Sequence, residues 1–212
     1  MKKTILAAAL AVTTLAGAAQ AQVCASYPTV DRNISLNGRI DFPENLDSFG
    51  VEASYNAAGP LSVFGGLNVL SGEGDDSESE DLFFAGLAFE TPQIAGMLGP
   101  RASACPQVRV EYADFDGLSY LRIPVGLGFG ATLATSPSGP TISPYVIPQV
   151  VFTQLSIDEV DEDESETNFG VRGGALVTFG MFFFGGEVNY TAGDFNLTGD
   201  DAVFGLRAGV RF

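Results

Sequence analysis

Apolar and polar positions alternate with a period of two along most of the chain. From Leu121 to Leu133 one face carries Leu121, Ile123, Val125, Leu127, Phe129, Ala131 and Leu133, and the other carries Arg122, Pro124, Gly126, Gly128 and Gly130. The C-terminal window repeats this, with Phe204, Leu206, Ala208, Val210 and Phe212 opposite Gly205, Arg207, Gly209 and Arg211. Successive side chains of a strand point to opposite faces, so each window predicts a strand with one apolar face and one polar or small face. The same pattern holds for Ile34 to Phe42, Phe49 to Tyr55, Val108 to Tyr112, Phe169 to Val177 and Phe182 to Tyr190. Weaker windows cover Leu61 to Leu70, Leu82 to Thr91 and Thr141 to Ile157. The last contains Pro144 and Pro148 and changes phase near Gln149, which predicts a bulge or a barrel rim. The windows make ten strands, or eight if one or both of the first two lie outside the barrel.

A soluble sandwich and a membrane barrel share this period, and the minority faces separate them. Those faces combine Arg, Glu, Asn and many Gly, while the apolar faces carry almost no charge over strand after strand. A barrel with a lipid-facing exterior and a polar bore fits both, and closure removes the exposed edges that lipid cannot satisfy. The fold class expected is therefore all-β, a closed antiparallel transmembrane β-barrel.

The N-terminus reads as a processing segment. Met1-Lys2-Lys3 is a positive start, Ile5 to Ala16 an apolar run and Ala19-Gln20-Ala21 a small-x-small cleavage site. An apolar run of about a dozen residues is shorter than the roughly 20 of a spanning helix, so a cleaved signal is expected. Residues 1–21 are then the signal peptide, 22–33 a periplasmic extension and 34–212 the barrel. Lys2 and Lys3 are the only lysines, so their removal takes the net charge from −16 to −18. Such a balance disfavours nucleic acid as a partner.

Half of the acids sit in two segments. Ser71 to Asp81 carries Glu73, Asp75, Asp76, Glu78, Glu80 and Asp81, and Asp158 to Asn168 carries Asp158, Glu159, Asp161, Glu162, Asp163, Glu164 and Glu166. With ten strands both fall on one end of the barrel, together with the connection from Tyr190 to Asp201. Periplasmic termini would place these acidic loops outside the cell, matching the long-outside, short-inside habit of such barrels. Asp75, Asp76, Glu78, Asp161 and Asp163 are weak candidates for Ca²⁺ or Mg²⁺, although no spaced calcium-loop series is present. No cofactor is expected. Cys24 and Cys105 both fall at the periplasmic end, in an oxidising compartment, and a disulfide between them is expected.

The inward faces bring together Arg39, Arg109, Arg122, Arg172, Arg207 and Arg211 with Asp41, Glu52, Glu90, Glu111 and Glu187. In a narrow bore such charges must pair or keep water, which predicts a salt-bridged filling; a thin water path between them is the alternative. Histidine is absent, which removes the usual acid–base and nucleophile-activating residue, so no enzymatic activity is expected. Gly126, Gly128 and Gly130 lie within an alternating strand, not before a helix, and do not read as a phosphate loop.

In its signal peptide, amphipathic strands and terminal Phe212, the chain resembles the small outer-membrane β-barrels of Gram-negative bacteria, the OmpA-like and OmpX-like group, over roughly residues 34–212. The resemblance implies a bacterial outer-membrane location, contact with lipid and lipopolysaccharide, a monomer, and delivery to the barrel-assembly machinery through the last strand. In that group a Gly often stands five residues before the final aromatic; here the position is Arg207, between Gly205 and Gly209. The role expected is structural or surface-display, with a narrow porin for small solutes or cations as the alternative.

Overall fold

The computed structural model describes residues 34–43, 46–56, 61–72, 79–91, 102–115, 117–134, 139–157, 162–192 and 202–212. They form β1 (Ile34–Phe42), β2 (Leu46–Asn56), β3 (Leu61–Gly72), β4 (Ser79–Phe89), β5 (Ala102–Phe115), β6 (Leu118–Ala131), β7 (Leu133–Ala134), β8 (Thr141–Ile157), β9 (Glu162–Phe179), β10 (Phe182–Thr191) and β11 (Ala202–Arg211). β7 is a two-residue continuation of β6 beyond Thr132, and both pair with β8. The wall therefore has ten strands. Every pairing is antiparallel, and β1 pairs with β11 to close the sheet.

Closure gives the wall an outside and an inside of opposite character. Phe49, Phe83, Phe169, Phe182, Phe184 and Leu36 are each half-exposed on the outer face, whereas Glu187, Arg207 and Glu52 are at most 5% exposed inside. A water-soluble domain inverts this arrangement, and a lipid-facing barrel requires it. Outer aromatics mark both ends of the wall. Phe42 and Phe204 stack at 6.1 Å near the acidic connections, and Phe179 and Phe184 stack at 6.0 Å near the opposite end. Two tight connections use glycine in the left-handed region, Gly117 (φ 79°) between β5 and β6 and Gly180 (φ 55°) between β9 and β10.

Three expectations change. β8 has no bulge at Gln149, because its ladders with β6 and β9 each keep one register along their length. The apparent phase change arises because Ile147 and Val151 point inward beside Tyr145, Gln149 and Thr153. The second acidic segment is strand from Glu162 onward, with Glu162 to Asn168 paired to Val151 to Ile157, and Glu80 and Asp81 likewise belong to β4. Regular pairing with β8 outweighs the loop-like composition. Cys105 is not at a loop end but within β5, wholly buried and paired with Gly128. Elsewhere the β5–β6 ladder lapses opposite Pro124, which has no N–H to donate.

Candidate functional site

The expected bore residues converge, and their pairing follows from the strands that carry them. Glu187 on β10 is the centre of one set. Its Oε2 accepts from Arg207 Nη2 of β11 and from the Tyr145 hydroxyl of β8, each at 2.5 Å. Its Oε1 lies 3.0 Å from Arg39 Nη1 of β1, an ion pair without the alignment of a hydrogen bond. Arg39 also donates from Nε to Asp41 Oδ1 at 2.6 Å. Four strands are thus tied through one carboxylate.

Glu111 on β5 is the centre of a second set. Its Oε1 lies 2.9 Å from Arg109 Nε, and its Oε2 accepts from Arg122 Nη1 at 3.0 Å. Arg122 Nη2 donates to Thr191 Oγ1 at 2.8 Å. Arg122 is on β6 and Thr191 on β10, with β8 and β9 lying between them in the wall, so this contact crosses the bore. The Arg109 guanidinium also lies over the Phe84 ring, 3.8 Å from its centroid.

Room for these side chains comes from glycine on the neighbouring strand. Arg39 is paired with Gly50, Asp41 with Gly205, Glu52 with Gly66, Arg109 with Gly86, Arg207 with Gly185, and Glu187 with both Gly174 and Gly205. Tyr145 reaches Glu187 across Gly174, where a Cβ would run into the Gly186 carbonyl and Glu187 itself. The inward glycines are spacers for the inward charges.

The remaining expected residues are placed less centrally. Glu52 accepts from Asn37 Nδ2 at 3.2 Å, with Ser35 and Ser54 hydrogen-bonded nearby on the same two strands. Arg172 is buried on the inner face within electrostatic reach of Glu187. Arg211 lies at the rim, where Nε and Nη2 donate to the Gly180 carbonyl at 3.0 and 2.9 Å, so it belongs to the end of the barrel and not to the bore network. Glu90 follows β4 and is half-buried; desolvation pushes its carboxyl above the usual range. Asp75, Asp76, Glu78 and Asp161 lie outside the described residues, as does the side chain of Asp163. Among the described residues no cluster of metal-ligating side chains is present. No described cysteine is a free thiol; Cys24, the expected partner of Cys105, lies outside the described residues.

Charge was the signal that exposed this site, and uncharged partners were missed. Tyr145, Thr191 and Gln149 all line the interior, and the ladders put each on the same face as the charged residues of its own or the adjoining strand. An apolar inner cluster was also missed: Phe64, Leu70, Leu82, Phe84 and Tyr120 fill part of the interior on β3, β4 and β6.

The two ends of the bore differ. Toward the acidic connections a cavity of about 100 Å³ is lined by Arg39, Asp41, Arg109, Glu111, Arg122 and Arg172 together with Phe64, Leu70, Leu82 and Tyr120. Toward the termini Tyr145, Ile147, Leu176 and Phe183 pack together in the interior.

No protein-family model matches the chain, and no curated protein matches it. Among solved structures it is similar to LpxR from Salmonella typhimurium, at 11% identity over 79% of this chain and 73% of that one, with a TM-score of 0.46. It is also similar to the β domain of the Bordetella autotransporter BrkA, at 14% identity over 86% and 100% of the two chains and a TM-score of 0.47. A third is Ail, the attachment invasion locus protein of Yersinia pestis, at 14% identity over 85% and 97% and a TM-score of 0.28. With such identities and TM-scores below 0.5, these likenesses carry no functional information.

Proposed function

We propose that the chain is a monomeric bacterial outer-membrane barrel with a structural or surface-display role, whose bore is closed by paired charge. The observation that carries this is the Arg122 guanidinium, which joins Glu111 on β5 to Thr191 on β10 across the interior. A bore that one side chain bridges is narrow, and the Glu187 set and the Phe183–Leu176–Ile147–Tyr145 packing fill it further toward the termini. The half-exposed apolar outer wall and its stacked aromatics support insertion in lipid.

In this reading residues 1–21 direct export, 22–33 remain periplasmic, and the acidic connections face outward, where they meet lipopolysaccharide and its counter-cations. The last strand supports hand-over to the barrel-assembly machinery: β11 closes the wall against β1, and the Phe212 N–H donates to the Ile34 carbonyl at 2.8 Å. No catalytic role is assigned. Cys105, inward and buried near the periplasmic end, is proposed to pair with Cys24, which non-reducing gels would register as a mobility change on reduction; two alkylatable thiols in the native protein would refute it.

The narrow-porin alternative draws on the cavity beneath the acidic connections. Conductance of the refolded barrel in a planar bilayer tests the two. The closed-bore reading expects negligible current, and steady single-channel steps from the wild type would overturn it.

A further inference from the structure

We infer that the periplasmic half of the bore is a docking site for the chain's own N-terminal extension, residues 24–33, which enters from the periplasmic side as an internal plug anchored through Cys105. No described cysteine is a free thiol, and Cys24 is the one other cysteine of the chain. A disulfide holds its two Cα atoms about 4.4–6.8 Å apart. Cys105 is wholly buried and shares the inner face of β5 with Gln107, Arg109 and Glu111, so a partner that reaches it stands inside the barrel. This placement rests on the Cys24–Cys105 pairing proposed above. Reach is sufficient. β1 and β5 are four places apart in a ring of ten strands and nearly opposite one another, and such a ring is about 20 Å across its backbone. The ten steps from Cys24 to Ile34 extend to about 33–36 Å, and they have to cross the bore to join the start of β1 to Cys105.

The wall facing that path is shaped for an occupant. Toward the termini the inner positions of β1 to β5 are Ser35, Ser54, Ser62, Ala88, Ser103 and Cys105, each at most 4% exposed. Side chains this short cannot meet across a ring about 20 Å wide, so their burial requires other atoms in the space between them. The large side chains at this end, Tyr145, Ile147, Leu176 and Phe183, stand on β8, β9 and β10, the other side of the ring. On β6, Thr132 follows Gly130 on the inner face, and its hydroxyl is buried without a hydrogen-bond partner among the described residues. A wall of hydroxyls and small groups suits a polypeptide, which brings its own donors and acceptors, better than an acyl chain, which brings none. The plug lies at the opposite end from the cavity, so it does not depend on whether the Arg122 crossing seals the bore.

The chain contains no Trp, so one Trp placed in the extension reports its surroundings alone. In the full mature barrel refolded in detergent, Tyr27→Trp should give blue-shifted emission that resists both acrylamide in the water and a brominated detergent in the micelle. Adding Cys24→Ser should shift the emission to the red and raise acrylamide quenching severalfold. Val30→Trp is a second probe with the same expectation, and heat-modifiable gel migration shows which variants are folded. Strong acrylamide quenching in the oxidised protein would place the extension in the periplasm, and strong quenching by the brominated detergent would place it on the micelle; either overturns the plug, as does equal acrylamide quenching with and without Cys24. Two alkylatable thiols in the native protein overturn the pairing and the plug together, whereas a gel shift on reduction combined with an acrylamide-quenched Trp overturns the plug alone.

Discussion

Glu187 takes contacts from Arg207, Tyr145 and Arg39, which stand on three different strands, while being 2% exposed. Desolvating a carboxylate so fully is offset only when its partners are in place, and removing one member of such a set costs about 3–5 kcal/mol. Glu187→Gln keeps the size and removes the charge, leaving Arg39 and Arg207 side by side without it. Urea unfolding followed by gel migration should show a lowered midpoint for this variant, and the closed-bore reading loses its central element if the midpoint is unchanged. Glu90 behaves in the opposite sense because its carboxyl is raised by burial without a cation. The folded state holds that proton more tightly than the unfolded chain does. Its contribution to stability is therefore full below the ordinary Glu value of 4.5 and is lost as pH rises through the raised folded value. Glu90→Gln should accordingly stabilise the barrel at neutral pH and not at pH 4, measured as the change in unfolding midpoint between the two.

At the scale of strands, the pattern of spacer and charge makes the wall specific. Gly174 and Gly38 are both strand glycines, yet a Cβ at Gly174 would meet the backbone of β10, while one at Gly38 finds only the Gly50 carbonyl at 3.9 Å. Gly174→Val should therefore destabilise by roughly 1–3 kcal/mol, the usual cost of overpacking, and also separate Tyr145 from Glu187. Gly38→Val, with open space around it, should be neutral or stabilising; the two unfolding midpoints compared in one detergent decide the matter. The strands and their faces were legible in the sequence because inward positions are marked by Arg, Glu and Gly and outward ones by Phe, Leu and Val. β8 was misread because its inner face mixes Tyr145, Gln149 and Thr153 with Ile147 and Val151, and periodicity of hydropathy alone cannot separate an apolar residue facing lipid from one facing a packed interior. The start of β9 was misread for the reverse reason. Glu162, Asp163, Glu164 and Glu166 have the composition of a solvated loop, and only long-range pairing with β8 makes them strand. Which Arg meets which Glu was not legible, since partners such as Arg39 and Glu187 lie far apart in the sequence and are joined only by closure of the wall.

For the molecule as a whole, two charge distributions of opposite sign are stacked along one axis. The connections at one end carry about half of the acids, and directly beneath them the interior presents four arginines around a cavity. Arg122 is the side chain that spans this region, so its removal acts on closure as well as on charge. Arg122→Ala deletes the bridge to Thr191 and leaves Glu111 with Arg109 alone. The interior loses one positive charge, the bore widens at its crossing point, and the many acids of the connections at that end weigh more in the field on any ion that enters. A leak through this variant should therefore favour cations, and raising the ionic strength should weaken that preference, because the connections act through solvent and are screened within about 10 Å at 0.1 M salt. Reversal potentials in asymmetric KCl measure it directly. An anion-selective leak would mean that the remaining arginines govern the path, and a silent Arg122→Ala barrel would place the seal deeper, in the Glu187 set and the packing of Phe183 against Leu176.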